Sequence, residues 1–358
     1  MRVIVAMSGG VDSAVAALLL LRQGHEVQGL FMHNWEEDDQ GYCTSAEDFQ
    51  DARRVAAELR IPLHRVDLSR EYRDRVFTDF LEAYRAGLTP NPDVLCNREI
   101  KFGDCLRHAQ RLGGERLATG HYARLVQGAA GVELHKALDA EKDQSYFLHA
   151  VARERFASAL MPLGELHKPE VRALAREAGL PVADKRDSTG ICFIGERPFR
   201  EFLAQYIGHT PGPIHTDSGQ QIGTHVGLPF YTLGQRGGIG IGGKSGGSGD
   251  PWYVVGKDID RNVLVVAQGE DHPALFTSRL TVRQPNWLCA PSEALAKGIT
   301  VRLRYRQEDQ AAQLATLPGG DISITPRMPQ RAVTPGQSAV IYNASRCLGG
   351  GVITRTGL

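Results

Sequence analysis

The alternation of apolar and polar positions changes its rhythm once along this chain, near residue 195. Before that point, short apolar runs alternate with longer segments of helical period. Val3-Ile4-Val5-Ala6 reads as a buried strand, and after a short turn Ala14–Leu21 reads as a buried helix. Val27–Met32, Leu63–Leu68 and Arg116–Thr119 are further strand signals. Between them, Ser45 with Asp48 three residues on marks a capping box for a helix through Leu59. Tyr72, Val76, Phe80 and Tyr84 recur every four residues and predict a helix over Glu71–Arg85. A proline-bearing loop, Thr89–Leu95, precedes another helix through Leu112. Strands alternating with helices predict the α/β class with a doubly wound parallel sheet, whose ligand lies off the carboxyl ends of the strands. Beyond residue 195 glycine becomes frequent and the apolar period shortens to two. Trp252–Gly256 and Val263–Ala267 predict strands of a small β-rich connector. Leu280–Arg283, Thr300–Arg306, Ile322–Ile324 and Ser338–Tyr342 predict a C-terminal β-barrel or sandwich. The boundaries implied are 1–197, 198–269 and 270–358.

A length of 358 residues agrees with two or three domains. With 41 basic and 41 acidic side chains, no global basic field marks a nucleic-acid binder. From Asp271 onward, however, ten Lys/Arg stand against five Asp/Glu, so one end is locally basic. No apolar run is long enough to cross a membrane, and the chain starts inside its first strand without room for a targeting peptide. Both point to a cytoplasmic protein. In that compartment its six cysteines are not expected to form structural disulfides, and the lack of a CxxC pair argues against a zinc ribbon or an iron–sulfur ligand set.

The turn after the first strand carries chemistry. Met7-Ser8-Gly9-Gly10-Val11-Asp12-Ser13 joins strand to helix through two glycines and small hydroxyl residues. Glycine lets backbone N–H groups approach a phosphate, and the helix dipole points its positive end at the same place. Asp12 is a possible metal ligand. A Walker loop would need four residues between its glycines and a lysine after the second. SGGVDS instead resembles the pyrophosphate loop of the N-type ATP pyrophosphatases, which split ATP between its α and β phosphates to adenylate a carbonyl oxygen. Gly238-x-Gly240-x-x-Gly243 matches a dinucleotide fingerprint by letter, but lacks a preceding strand and a following helix; it is read as a flexible loop.

Two cysteines have distinctive surroundings. Cys96 follows the rigid stretch Thr89-Pro90-Asn91-Pro92-Asp93, near the start of a predicted helix that would lower its thiol pKa. Asp93, three residues earlier, could act as general acid or base on the same substrate. Cys192 lies in Asp187-Ser188-Thr189-Gly190-Ile191-Cys192, on a small-residue loop just before the domain change, where a loop could close over a site. Cys43, Cys105, Cys289 and Cys347 read as inert.

Eight segments in one order then carry a close resemblance. They are Gly29–Met32 with Asn34–Asp39; Asn91-Pro92-Asp93 with Cys96; Ala118–Tyr122; Lys142–Leu148; the Cys192 loop; Thr232–Arg236; Arg304-Tyr305-Arg306; and Thr334–Val340. Together they are similar to the bacterial tRNA-specific 2-thiouridylases over essentially the whole chain. The resemblance implies an ATP pyrophosphatase domain, a small connector and a tRNA-binding β-barrel. ATP would lie on Ala6, Met7, Ser8, Gly9, Gly10, Val11, Asp12 and Ser13, with Met32 and Gly120 shaping the adenine and ribose pocket and Mg²⁺ on the pyrophosphate. The wobble uridine O2 would be adenylated. Cys192 would carry a persulfide, delivered by a sulfur-relay carrier fed by a cysteine desulfurase. Cys96 would attack that persulfide and form a transient disulfide, and Asp93 would shuttle the proton. Asn91, Pro92 and Asp93 would meet the target base. His121, Lys142, Asp143, Gln144, Arg304, Tyr305 and Gln337 would face the tRNA of a monomeric enzyme. Read without the family, Arg302, Arg304 and Arg306 alternate along a strand as a solvated face.

Three other readings stay open on the residues alone: an adenylating enzyme acting on a small molecule, a non-catalytic tRNA binder switched by ATP, and an iron–sulfur-dependent thiolase. Paired cysteines and a basic barrel weigh against the first, and the missing CxxC pair against the third.

Overall fold

The computed structural model describes residues 1–35, 45–187, 198–241, 249–295 and 298–357. Cys43, Cys192 and Gly243, and the acidic loop after Trp35, lie outside the described residues. In chain order the first strands are β1 (Arg2–Met7), β2 (Glu26–His33), β3 (Leu63–Asp67) and β4 (Arg116–Ala118). A hairpin, β5 (Ala123–Gly128) and β6 (Gly131–Lys136), follows, and then the short β7 (Ala159–Leu160). Strands β3-β2-β1-β4-β7 form one parallel sheet. Chain order reverses between β1 and β4, so the switch point where α/β sheets bind ligands lies at the carboxyl end of β1. That is where Ser8-Gly9-Gly10 emerges.

Helix α1 (Val11–Arg22) is buried nearly all round, from Val11 to Leu18, because it packs on the sheet and beneath neighbouring helices. Helix α2 (Ser45–Leu59) buries Ala52, Val55 and Ala56 and ends where its sequence signals end. The predicted Glu71–Arg85 helix starts earlier, at Ser69, and its Arg73–Phe77 stretch is wound with i→i+5 hydrogen bonds.

The connector is a four-stranded sheet of Gly212–Thr216, Gln221–His225, Trp252–Asp258 and Val263–Gln268. Its apolar face is continuous with the first domain: Phe202 and Ile214 share a core cluster with Phe77 and Phe80, and Phe77 meets Phe202 edge-on at 6.1 Å. Six strands then close a barrel: Arg279–Trp287, Ile322–Pro326, Gln310–Thr316, Ile299–Arg302, Ser338–Asn343 and Arg346–Gly357, with the first and last paired. The choice between barrel and sandwich is therefore barrel. The β5–β6 hairpin of the first domain adds to its edge, with His135 opposite Arg346. Sequence reading found neither this hairpin nor its partner strand, and the pairing joins residues some two hundred positions apart.

The predicted Thr300–Arg306 strand stops at Arg302, and Arg304, Tyr305 and Arg306 fall on a turn. Arg302 is not on a solvated face. It reaches Asp143 at 2.8 Å and Asp309 at 2.7 Å and lies over the Tyr342 ring.

The seam between barrel and first domain buries His149, whose Nε2 lies 2.9 Å from Ser338 Oγ. Burial pushes this imidazole down to about 4. Unfolded, it would bind a proton near 6.5, so between the two values only the unfolded chain takes up the proton. Its contribution to stability is complete above about pH 6.5 and is lost as pH falls toward 4, by up to about 3 kcal/mol. Denaturant melts at pH 7, 5.5 and 4.5 are expected to show this loss, and His149→Gln is expected to flatten that part of the slope.

Candidate active site

The Ser8–Ser13 turn is held by its own hydroxyls. Ser8 N–H donates to Ser13 Oγ at 3.1 Å, and Ser13 Oγ donates to the Gly10 carbonyl at 3.1 Å. No side chain caps α1 at Gly10, so the first-turn amides and the dipole face the mouth of the turn. Gly9 has φ +76°, and a Cβ there would stand 2.3 Å from the Asp48 backbone oxygen, because α2 passes directly over it. Lys185 ties the two together: its Nζ donates to the Gly9 carbonyl (3.2 Å), Asp48 (2.7 Å) and Asp51 (2.6 Å). Burial opposes its charge, but these carboxylates outweigh burial and raise its pKa.

From the other side of the switch point the exit of β4 closes on the turn. Gly120 approaches so closely that a Cβ would lie 2.8 Å from Ser13 N and Asp12 C. Two residues on, Tyr122 Oη donates to Asp12 Oδ1 at 2.9 Å. Lys168 Nζ spans both Asp12 oxygens at 2.7 and 2.8 Å and also reaches Asp187 at 2.8 Å. Lys168 is the first residue of a helix, Lys168–Glu177. A cation there opposes the helix dipole, so the two carboxylates are what hold it. Asp187 also takes Lys142 (2.8 Å) and Arg172 (3.0 Å). Burial would raise its pKa, yet the hydrogen bonds from Lys142 and Lys168 hold it down to about 2. Burial and the Asp12 carboxylate together push the Tyr122 hydroxyl up, so it stays a donor. Sequence reasoning did not place Tyr122, Lys168, Arg172 or Lys185 at this site. The weak signal for Lys168 was its odd position at the head of a helix.

Asp12 was a possible metal ligand, but both its oxygens are taken by Lys168 and one also by Tyr122. Among the described residues no group of three or more His, Cys, Asp or Glu stands close enough to hold a metal. The described side chains do not assemble a Mg²⁺ site of their own.

Ala6 and Met7 are buried at the end of β1, and Met32 packs at the end of β2 beside the cluster that contains Ala6, Leu30 and Cys96. Cys96 and Ala6 thus belong to one extended apolar cluster, while Met7 packs on the other side of the sheet. Asn91 caps the helix carrying Cys96, its Oδ1 accepting from Asp93 N–H at 3.1 Å, with Pro92 in the first turn. The helix therefore begins at Pro92, earlier than predicted, and continues through Cys96–Cys105 and Leu106–Arg111. The stretch Cys96–Cys105 is wound with i→i+5 hydrogen bonds, a form frequent at functional sites. Cys96 stands one turn inside, with its own N–H already bonded to the Pro92 and Asp93 carbonyls. The dipole fades beyond the first turn, so it acts on Asp93 more than on the thiol, contrary to the expected end-of-helix activation. Asp93 and Cys96 lie three apart, on one helix face. Burial raises the Asp93 pKa, with Lys101 opposing.

Of the expected tRNA-facing residues, His121 is buried, pairs through Nδ1 with Thr119 Oγ1 at 2.9 Å and stacks on Phe102. Burial, then Lys101, keeps it neutral. Asp143 is 2% exposed and accepts from Ala137 N, Ser145 N, Ser145 Oγ and Arg302. In this conformation it is a tether between domain and barrel, with no free face. Gln144 clips Tyr122, its Oε1 accepting from Tyr122 N–H at 3.0 Å, and Lys142 is bound to Asp187. Arg304 is exposed, donating to the Ala332 carbonyl, and the Tyr305 ring lies 4.4 Å from that of Phe147. Gln337 Nε2 donates to the Thr89 carbonyl at 2.7 Å. No helix among the described residues is long and apolar enough to cross a membrane.

Known sequences agree with this arrangement. The family model described as the tRNA methyl transferase HUP domain matches residues 1–196. The corresponding PRC-barrel domain matches 200–268, and the aminomethyltransferase beta-barrel domain 277–353. The chain is 54% identical over 366 residues to the tRNA-specific 2-thiouridylase MnmA of Paracidovorax citrulli, covering 99% of this chain and 97% of that one. It is also 54% identical over 353 residues to the protein of the same name in Pseudomonas putida, covering 98% and 94%. A pyrophosphatase-type turn at the switch point of a parallel sheet, a capped helix bearing aspartate and cysteine, and near end-to-end identity lead to one assignment: the chain belongs to the tRNA-specific 2-thiouridylase family.

Proposed function

We propose that this protein thiolates C2 of the wobble uridine in tRNA, spending ATP and a cysteine-bound sulfur. The observation that carries this reading is the Asn91-capped helix start, which puts Asp93 and Cys96 three residues apart on one helix face, with Cys96 buried in the core cluster that includes Ala6 and Leu30. A small-molecule adenylating enzyme has no use for that pair. The two named relatives are tRNA-specific 2-thiouridylases, which supports the substrate class.

ATP lies with its phosphates on residues 6–13 and its nucleoside against Met32 and Gly120. The cations Lys142, Lys168, Arg172 and Lys185 surround this turn and offset the charge that develops on pyrophosphate. The uridine O2 attacks the α phosphorus, the bond to the β-phosphate oxygen breaks, and pyrophosphate leaves. The terminal sulfur of a Cys192 persulfide attacks C2, and AMP leaves with the former O2. The Cys96 thiolate then attacks the Cys192 sulfur. That forms the Cys96–Cys192 disulfide and leaves the outer sulfur, with its electron pair, on C2. An external thiol reductant resets the pair. Asp93, whose carboxyl pKa is raised by burial above the usual carboxylate range, takes the thiol proton and returns it. Asn91, Pro92 and Asp93 meet the splayed base, and Lys142, Gln144, His121, Arg304, Tyr305 and Gln337 face the tRNA once it is seated. Mg²⁺ arrives with ATP. The protein works as a monomer in the cytoplasm and receives sulfur from a carrier fed by a cysteine desulfurase.

The purified protein, given ATP, tRNA and a persulfide donor, is expected to form 2-thiouridine and to release AMP only when a cognate tRNA is present. Cys192→Ser is expected to keep the AMP release and lose the thiouridine. AMP formation indifferent to tRNA, or thiolation retained in that variant, would overturn the reading.

A further inference from the structure

The segment that leads into the Asp93–Cys96 helix is gripped from two sides by the two accessory domains. On the connector side, Lys257 Nζ donates to the Gly87 carbonyl at 3.0 Å. Gly87 has φ +76°, and a Cβ on it would lie 2.3 Å from Ile259 Cδ1, so connector and segment are in direct contact. On the barrel side, Thr89 N–H donates to the Pro335 carbonyl at 3.0 Å, and Gln337 Nε2 donates to the Thr89 carbonyl at 2.7 Å. Gly336, at φ +95°, leaves no room for a side chain: a Cβ would stand 2.7 Å from Thr89 N. The two jaws also touch each other where Gly234 of the connector packs on Ala332 of the barrel.

We propose that Lys257 is a positioning residue for sulfur transfer: with Gln337 it clamps Gly87–Thr89 between connector and barrel, and so sets where Asp93 and Cys96 stand relative to the bound base. The inference rests on the proposed thiolation. Pro90 between Thr89 and Asn91, and Pro92 just after, each lock one φ of this short path, so a displacement of the segment passes into the helix start rather than being absorbed. Burial pushes the Lys257 ammonium down to about 8, as suits a lysine spent on a carbonyl instead of a carboxylate. A lysine serving only solubility or tRNA charge would be found in water. The barrel jaw carries Gln337 five residues beyond Ala332, whose carbonyl accepts from Arg304, so seating tRNA on Arg304 and placing the Asp93–Cys96 helix become one event.

The test uses the full-length protein as wild type, Lys257→Met and Lys257→Arg. Hydrogen exchange of the amides over residues 87–91 reads the clamp directly, and single-turnover thiolation at saturating ATP, tRNA and persulfide reads its consequence. Lys257→Met is expected to speed exchange in this segment by about tenfold and to slow single-turnover thiolation by about tenfold. The tRNA Kd and the melting temperature should stay close to wild type, and Lys257→Arg should recover most of the rate. Wild-type exchange and rate in Lys257→Met would overturn the proposal. So would a rate loss matched by an equal loss of tRNA affinity or by a lowered melting temperature. If the wild type forms no thiouridine with any tRNA, the proposed function fails, while the exchange readout still decides whether the clamp exists.

Discussion

Cys96→Ser is expected to lower 2-thiouridine formation by roughly three orders of magnitude while tRNA-dependent AMP release stays within a few-fold of wild type. Serine matches cysteine in shape, so the core around position 96, which is 3% exposed, has little reason to rearrange. The hydroxyl cannot form a bond to the Cys192 sulfur, so the persulfide is not discharged and no disulfide closes. Activation of the uridine does not need the thiol, which sits on a different element from the Ser8–Ser13 turn. The measurement is nucleoside analysis of digested tRNA alongside AMP release. Thiolation at the wild-type rate would mean that sulfur leaves Cys192 without a second thiol. Equal loss of AMP and thiouridine would mean that residue 96 serves substrate binding.

The second large effect is expected at Gly9. Gly9→Ala forces an L-residue to φ +76°, a conformation costing roughly 1–2 kcal/mol, and sets a methyl group 2.3 Å from the Asp48 backbone oxygen. Neither atom is the end of a flexible side chain, so α2 or the turn must move. Lys185 bonds the Gly9 carbonyl to Asp48 and Asp51 and would carry that shift into both. AMP formation is expected to fall by about 100-fold, close to 3 kcal/mol of lost transition-state stabilisation, with the ATP KM raised. Gly10→Ala supplies the contrast. Its φ is −98° and the nearest atom to a Cβ is Ser8 Oγ at 3.4 Å, so its melting temperature should match wild type. Equal melting temperatures for all three proteins, with Gly9→Ala fully active, would remove the steric argument.

These two glycines show where sequence reading stops. SGGVDS is legible as a candidate phosphate turn because the local order strand, glycines, helix itself presents free amides and the helix dipole. Which glycine is irreplaceable depends on α2 crossing above Gly9, a contact between segments forty residues apart. Period-two patterning likewise exposed the strands of the barrel, but it carried Thr300–Arg306 past its true end at Arg302. Alternation continues in the letters there while the chain turns, and only the tertiary packing of Arg302 between Asp143 and Asp309 reveals it. Asp143, expected to face tRNA, ties the first domain to the barrel in this conformation. Nothing local distinguishes a carboxylate that will meet a guanidinium some 160 residues away.

The sequence by itself determined the class of fold, the order of its α/β and β-rich parts, the glycine turn after the first strand and the proline-led segment that carries Asp93 and Cys96. All of these follow from short-range signals: hydrophobic period, turn chemistry, caps and residue type. Only the tertiary structure decided the lysine and arginine set that gathers around Asp12 and Asp187, the depth of Cys96 in its helix, and the grip of Lys257 and Gln337 on the segment before it. The reason is that charge pairing, close glycine approach and interdomain hydrogen bonds depend on distances in space, which hydrophobic pattern constrains only through the fold it builds.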